Sequence, residues 1–368
     1  MTIKRGMLSH QPSRKPDGDK AGLASTSMTR FLALILAAAM LAGCTPLMVQ
    51  QAGMPPFGFS GARIEAGDIV SFDGARLGLS EWDAVGEPWA VIVGVHGMND
   101  YSNAFHTAAP WWAEQGITTL AYDQRGFGRS PGRGVWAGDE LMVEDLRTVA
   151  ALARQKYPRA LIVVAGESLG GAISAEAFAS DRPPSADRLV LLSPAVWGWR
   201  DQPLPNKTLL WFAANFTGPR VYTPPNWLTS KVSPTDNRDE LIAMGRDPQM
   251  IWGARSDTLY GLVTTMDRAA DAVGKSRLPT LYLYGAHDQI IPKNAAFRAA
   301  SHLKPTDRSV YYAKGWHLML RDHQGPLVRK DILAFIRDPL APLPSGAPKI
   351  PTAPDFRAPA QTQASAGL

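Results

Sequence analysis

The sequence predicts an α/β fold in which helices flank a mostly parallel sheet, and three observations support this prediction. Six apolar runs bounded by turns follow one another along the chain, as expected for strands buried on both faces of a parallel sheet. Segments with apolar residues at helical spacing lie between these runs. Two shorter strand patterns precede the first run. An antiparallel start followed by repeated strand–helix units indicates one α/β domain, which we place at residues 61–338.

The individual elements follow in chain order. The stretches "ARIEAGDIVSF" and "ARLGLSEW" flank the turn dipeptide Asp73-Gly74 and predict a β-hairpin. The stretch "DELMVEDLRTVAALARQKY" predicts a helix, because its apolar residues recur at helical spacing and acidic residues occupy its first turn. The six runs that predict the later strands are "WAVIVGVHG", "ITTLAYD", "ALIVVAG", "RLVLLSP", "PTLYLYG" and "SVYYA".

One long interval interrupts this alternation of strands and helices. From residue 196 to about 271 no strand pattern occurs, so we predict a helical cap inserted after the sixth predicted strand. An insertion at that point lies over the sheet edge where such folds bind ligands. Its aromatic side chains either line an apolar substrate pocket or form a small core within the cap. Five of the eleven tryptophans of the chain lie in this interval: Trp197, Trp199, Trp211, Trp227 and Trp252.

The N-terminal segment has the pattern of an export signal. In "MTRFLALILAAAMLAGC" a basic residue, Arg30, precedes an apolar run that is shorter than the roughly 20 residues of a membrane-spanning helix. The "LAGC" motif resembles the lipobox of bacterial lipoproteins, which implies removal of residues 1–43 and lipid attachment at Cys44. Thr45 then implies transfer to the outer membrane, facing the periplasm. A plain secretory signal or a buried free cysteine remains as the alternative, and translation could start at Met28.

Composition limits the partners of the chain. Of the formal net charge of +5, +4 lies in residues 1–43, so the remainder is nearly neutral and gives no support to a nucleic-acid partner. The sequence contains no Cys/His cluster and no glycine-rich phosphate loop, so we expect no metal and no cofactor. Residues 44–60 are predicted to be a tether. Residues 339–368, with seven prolines, are predicted to be disordered.

Two serines, Ser130 in "GRSPG" and Ser168 in "GESLG", fit the G-x-S-x-G pattern of a nucleophile elbow. Such a turn needs a strand leading directly into the serine, a helix directly after it, and a free backbone N–H on the next residue. Ser130 is followed by Pro131, which has no N–H, and it is separated from its nearest strand. Ser168 follows "ALIVVA", and a small-residue helical pattern begins with Leu169. Ser168 is therefore the predicted nucleophile.

A serine nucleophile needs a base to take its proton and an acid to orient that base. Asp288 directly follows the strand pattern "LYLYG", and His317 follows the next strand pattern 29 positions later. Both come after Ser168, in the order Ser, Asp, His that one large class of serine hydrolases uses. The backbone N–H groups of Met98 and Leu169 are the predicted oxyanion donors. His96 precedes the serine at a loop start, and we expect it to brace that loop by hydrogen bonding.

Five blocks carry a resemblance to a known family: "HGMNDYSNAF", "YDQRGFGRSPG", "GESLGGA", "YGAHDQIIP" and "KGWHLMLRD". Together they resemble the monoacylglycerol lipase and lysophospholipase branch of the α/β-hydrolases, also grouped as serine aminopeptidases. The resemblance spans about residues 69–338. It implies the α/β-hydrolase fold, with Ser168, Asp288 and His317 as the triad and Met98 and Leu169 as oxyanion donors.

The resemblance implies a serine esterase that acts on monoacyl lipids or similar carboxylic esters through an acyl-enzyme. Asp100 and Tyr101 stand where many members have Glu and His, which leaves the substrate open. An aminopeptidase or amidase of the same fold is the alternative, and acidic cap residues that bind a substrate amine would favour it. The candidates for such acidic residues are Asp236, Asp239 and Glu240. A third possibility is a non-catalytic binding lipoprotein.

Overall fold

The structure, a computed structural model, describes residues 47–223 and 231–351 of the 368. The predicted signal segment, Cys44 and Trp227 therefore lie outside the described residues. Within the described ranges no helix combines the length and the apolar character that crossing a membrane requires.

A nine-stranded sheet forms the centre of the molecule, in the order β1-β2-β3-β5-β4-β6-β7-β10-β11. The first three strands are antiparallel, β3 pairs antiparallel with β5, and the six strands from β5 to β11 in this order are parallel. The strands are β1 (Arg63–Glu65), β2 (Asp68–Val70), β3 (Arg76–Trp82), β4 (Ala90–Val95), β5 (Ile117–Tyr122), β6 (Leu161–Glu167), β7 (Arg188–Leu192), β10 (Thr280–Gly285) and β11 (Arg308–Tyr312), with β8 (Val221–Tyr222) and β9 (Ala254–Arg255) pairing separately.

The predicted hairpin forms between β2 and β3, across the turn at Asp73-Gly74. The first predicted strand is divided in two, because Gly67 adopts a positive φ of 78° and turns the chain between β1 and β2. The cap therefore follows the seventh strand of the structure, which is the sixth predicted one. All six predicted strands of the parallel sheet are present within one or two residues of their expected bounds.

Helices cover both faces of the sheet, because alternate residues of the buried strands point to opposite sides. The helices of the described residues are α1 (Ala109–Glu114), α2 (Asp139–Lys156), α3 (Leu169–Ala179), α4 (Leu204–Thr217), α5 (Arg238–Arg246), α6 (Ser256–Ala272), α7 (Lys293–Ala300) and α8 (Gly325–Arg337), with short 3-10 turns at Ser102–Phe105 and Trp199–Asp201. In β4, Val91, Val93 and Val95 join a core with α2, α3, α6 and α7, whereas Ala90 and Ile92 join a second core with α1 and α8.

The interval after β7 contains the helices of the cap. Helices α4 and α5 belong to the cap. Strand β8 lies between these helices in the chain, β9 follows α5, and the two short strands pair with each other. Helix α6 buries Leu262, Met266 and Ala269 in the same core as α3. It also packs against cap helix α4, so it joins the cap to the sheet domain.

The two segments that flank the predicted domain are more ordered than expected. The prediction of disorder from Pro339 onward is wrong for residues 339–351, because the backbone N–H of Tyr311 donates to Pro348 O, the N–H of Ile350 donates to Ser309 Oγ, and Ile350 is buried. The later residues lie outside the description. Part of the predicted tether also packs on the domain, since Gln50 donates its backbone N–H to Trp136 O.

Candidate active site

Ser168 lies in a strained turn between β6 and α3. Its backbone has φ 54° and ψ −115°, a conformation that side-chain-bearing residues rarely adopt. The turn is held by its own backbone, because the N–H of Ser168 donates to Leu192 O and its carbonyl accepts from Ala172 N and Ala195 N. The side chain is thereby presented at the carboxyl end of the sheet, where it is 8% exposed.

Two glycines allow this turn to form. A Cβ at Gly170 would lie 2.0 Å from Val95 O, and one at Gly166 would lie 2.4 Å from Gly170 O. Both positions therefore exclude any larger residue unless the backbone moves. Their absence of side chains lets the first turn of α3 approach β4 and β6 closely, as the sequence pattern predicted.

Ser130, the competing serine, has a structural place. Its Oγ donates to Asp123 O at 2.5 Å and accepts the N–H of Gly78 at 3.1 Å, and the residue is buried. The first hydrogen bond lies within the loop after β5, and the second connects this loop to β3. Ser130 is therefore engaged in holding that loop.

The structure brings Asp288 and His317 together after β10 and β11. His317 Nδ1 lies 2.8 Å from Asp288 Oδ2, and both side chains are almost completely buried. The other carboxylate oxygen of Asp288 accepts the backbone N–H groups of Ile290 and Ile291. With Asp288 ionised, His317 carries its proton on Nδ1, which leaves Nε2 free to accept one. Burial alone would lower the pKa of His317, but the carboxylate of Asp288 raises this pKa above the ordinary value of 6.5.

Among the described contacts, no hydrogen bond joins the side chains of Ser168 and His317. Glu167, the chain neighbour of Ser168, is close enough to His317 for its carboxylate to raise the pKa of the imidazole. Catalytic hydrogen bonds are often long until substrate is bound. The arrangement therefore has the parts of a triad, with the acid–histidine link formed and the serine–histidine link open.

The two predicted oxyanion donors lie on either side of Ser168. A Cβ at Gly97 would lie 3.2 Å from Ser168 Cβ, so the turn that contains Met98 runs directly beside the serine. Leu169 is the first residue of α3, whose N–H has no partner inside the helix. Within the described part of the chain, neither amide donates to a protein acceptor. Both remain free to bind an anion, and the positive end of the α3 dipole favours one there.

Buried hydrogen bonds fix the loop that carries Met98. His96 Nδ1 lies 2.7 Å from Gly97 O, and its Nε2 accepts the N–H of Gln124. Burial lowers the pKa of His96, so the ring stays neutral and donates from Nδ1. Asp123 supports the same loop by accepting the N–H of Ser102. His96 thus has the bracing position that the sequence predicted.

Sequence reasoning missed one buried cation beside this site. Arg321, four residues after His317, places Nη2 at 2.7 Å from both Asp100 Oδ2 and Glu167 Oε2. A charged residue in the x position of G-x-S-x-G was the available signal, because that position lies at a buried strand end. Among the described residues, no group of His, Cys, Asp and Glu has an arrangement that could hold a metal ion.

The molecule has the fold of the α/β-hydrolases. The structure of a soluble variant of monoglyceride lipase from Saccharomyces cerevisiae, in complex with a substrate analog, matches with a TM-score of 0.62 over 77% of this chain and 97% of that one, at 17% identity. In sequence, the chain is 25% identical over 279 residues to monoacylglycerol lipase of Mycolicibacterium smegmatis, covering 72% of this chain and 93% of the relative. It is also 25% identical over 258 residues to monoglyceride lipase of Rattus norvegicus, covering 69% and 84%.

Residues 86–324 match the family described as serine aminopeptidase, S33, and the chain belongs to this family. Together with the two monoacylglycerol lipase relatives, this membership makes the chain a serine hydrolase that cleaves esters.

Proposed function

We propose that the protein hydrolyses carboxylic esters of monoacyl lipids, with Ser168 as nucleophile, His317 as general base and acid, and Asp288 as the residue that orients His317. The observation that supports this best is the buried 2.8 Å contact between Asp288 and His317 at the sheet edge where strained Ser168 is presented. An ester bound with its carbonyl oxygen toward the amides of Met98 and Leu169 would face the serine.

The proposed reaction has two halves. Ser168 Oγ attacks the ester carbonyl while His317 Nε2 takes its proton, and the two amides stabilise the oxyanion. His317 then protonates the departing alcohol, which leaves the acyl group on Ser168. Water attacks this acyl-enzyme with the same base, which releases the fatty acid and restores the serine. Asp288 stays ionised throughout and stabilises the imidazolium that forms in each half.

The substrate class is supported by the relatives and by the surface of the cap. The relatives described above are named for the hydrolysis of monoacylglycerols. The cap helix α4, strand β8 and the segment before β9 expose seven large apolar side chains. A lipid held in an aggregate could enter from such a surface. These exposed residues are Leu204, Leu209, Trp211, Phe212, Val221, Tyr222 and Trp252.

A cavity beside the cap does not reach the proposed catalytic residues. Trp211 borders an open cavity of about 400 Å³ together with Trp199 and Tyr260, and the lining of this cavity does not include Ser168 or His317. The N–H of Ile251 donates to Asn99 O, so the segment before β9 meets the loop that carries Met98. We propose that the acyl chain runs from the serine toward Ile251 and not into this cavity.

Acyl-chain length tests this function. With a series of p-nitrophenyl esters and monoacylglycerols, we expect kcat/KM to rise from acetate to medium and long chains, since each buried CH₂ contributes about 0.8 kcal/mol. Triacylglycerols should be poor substrates, because the proposed site takes a single acyl chain. Equal kcat/KM from acetate to dodecanoate would contradict a lipid substrate, and faster cleavage of aminoacyl amides would favour the peptidase alternative.

The acidic cap residues give little support to that alternative. Glu240 is 8% exposed and already faces His106 and Arg321. Asp236 accepts the backbone N–H of His323, and Asp239 lies exposed at the start of α5. None of these carboxylates is both unpaired and buried near His317, as recognition of a substrate ammonium group would require.

We also propose that Cys44 is lipidated after removal of residues 1–43 and anchors the enzyme in the cell envelope, with the catalytic domain in the periplasm. The proposal is supported by the signal pattern and by the "LAGC" motif. The three acyl chains of a mature lipoprotein cysteine would hold the protein firmly to a bilayer. Wild-type protein should fractionate with membranes, and Cys44→Ser should lack the mass of the lipid. Unmodified wild-type protein in the soluble fraction would contradict it.

A further inference from the structure

Arg321 connects three parts of the active site that come from distant parts of the chain. Its Nη2 lies 2.7 Å from Asp100 Oδ2, in the loop that carries Met98, and 2.7 Å from Glu167 Oε2, beside the nucleophile. Its backbone carbonyl accepts from Asn237 Nδ2, the residue that caps α5. The first two contacts meet on one nitrogen, so a single guanidinium group fixes the distance between the oxyanion loop and the elbow.

The cap contributes to the same cluster. Arg321 Nη1 lies 3.9 Å from Met244 Sδ and 4.0 Å from Glu240 Oε1, both on α5. The other oxygen of Glu240 lies 3.4 Å from His106 Nε2, and the hydrogen bond that His106 donates to Glu240 raises the pKa of His106. Each carboxylate of the cluster therefore has a cationic partner.

Because this cluster is buried, each of its charged groups must keep its partner within the protein. Arg321 is 2% exposed, and Glu167 is 1% exposed. A buried carboxylate that loses its partner is strongly destabilising, so the guanidinium must stay in place for both acids. Both acids lie at Nη2, while Nη1 faces Met244 and Glu240 of the cap. The single ammonium group of lysine cannot occupy both nitrogen positions at once.

We infer that Arg321 is a positioning residue for ester hydrolysis: it holds the Met98 loop and the Ser168 elbow at the separation that forms the oxyanion hole, and it ties this arrangement to cap helix α5. The inference rests on the proposed roles of Ser168 and His317. Arg321 does not touch the substrate. It acts through the two acids that flank the oxyanion donors in sequence, Asp100 two residues after Met98 and Glu167 two residues before Leu169.

The test compares Arg321→Lys with Arg125→Lys as a matched control. Arg125 is equally buried and binds two carboxylates, Asp73 and Asp145, but these contacts join the N-terminal hairpin to α2. We expect both variants to melt at lower temperature. On an acetate ester, Arg321→Lys should lower kcat about tenfold or more with KM nearly unchanged, because displaced oxyanion donors weaken transition-state binding. Arg125→Lys should keep kcat within about twofold per folded molecule.

A pH profile gives a second readout that a purely structural role would not change. The charged groups that face His317 are Asp288 after β10, Glu167 at the elbow and Arg321 in its own segment. Because the carboxylate of Glu167 raises the pKa of His317, Glu167→Gln should move the acid limb of kcat/KM to lower pH and also lower kcat. An unmoved profile with wild-type kcat would overturn the inference.

The outcomes separate this inference from the proposed function. Equal kcat losses in Arg321→Lys and Arg125→Lys would overturn the positioning role, while an inactive Ser168→Ala would leave the proposed function intact. If Arg321→Lys does not fold, Asp100→Asn decides, since it keeps the Arg321–Glu167 pair and releases only the Met98 loop. A tenfold loss of kcat in Asp100→Asn supports the inference, and an unchanged kcat overturns it.

Discussion

Replacing Ser168 with alanine should lower kcat on ester substrates by about five to six orders of magnitude, leaving only what binding and the oxyanion donors supply. The fold should survive, because the hydrogen bonds that hold the elbow involve the backbone of Ser168 and not its hydroxyl. Steady-state hydrolysis of a p-nitrophenyl ester, with the melting temperature measured on the same sample, checks both expectations.

Ser130→Ala is the matched control for this experiment. Its hydroxyl bonds Asp123 O and the N–H of Gly78, so its removal should reduce the free energy of unfolding by about 1–3 kcal/mol. The kcat of the folded control should stay near that of the wild type. If Ser130→Ala were inactive while Ser168→Ala retained activity, the two serines would have exchanged the roles assigned to them.

Asp288→Asn should lower kcat about 10⁴-fold, as expected for a triad whose histidine is held in the wrong tautomer. The asparagine oxygen can still accept the N–H groups of Ile290 and Ile291, so the loop should keep its shape. Its NH₂ group would face His317 Nδ1 and leave the imidazole proton on Nε2, where the base must be free. Circular dichroism would establish folding, and more than a tenth of wild-type kcat would contradict the orienting role of Asp288.

The same pair determines the pH dependence of the wild-type enzyme. His317 must be neutral to accept the proton of Ser168, and Asp288 raises its pKa above 6.5. Activity should therefore be lost as the pH falls through that raised pKa, with the acid limb of kcat/KM centred above pH 6.5. In Asp288→Asn the residual activity should have its acid limb at lower pH, because the carboxylate that stabilises the imidazolium is absent.

The sheet was predictable because its signal is local and strong. The run "AVIVGV" is buried along its whole length, and only a strand covered on both faces accommodates such a run in a domain of this kind. The placement of Ser168, Asp288 and His317 followed from the same logic, since each directly follows a predicted strand and the carboxyl ends of parallel strands share one sheet edge.

Features that depend on contacts between distant segments were not predictable. Residues 339–351 have the composition of a disordered tail, yet β11 offers them hydrogen bonds that no local pattern shows. Helix α6 has an amphipathic pattern that fits either a cap or a domain helix. Asp100 and Arg321 look like solvated charges in sequence, and the strand-end position of Glu167 does not identify its partners. Only the meeting of the three residues beside the serine shows that they are a cluster.

The most direct test of the central claim is to find which residue becomes covalently modified. The wild-type protein would be treated with a fluorophosphonate, which reacts with serines activated for nucleophilic attack, and digested for peptide mass spectrometry. The account predicts one adduct per chain on Ser168, which is lost in Ser168→Ala, slowed in Asp288→Asn and retained in Ser130→Ala. An adduct on another serine, or no adduct on a folded protein that still hydrolyses esters, would contradict it.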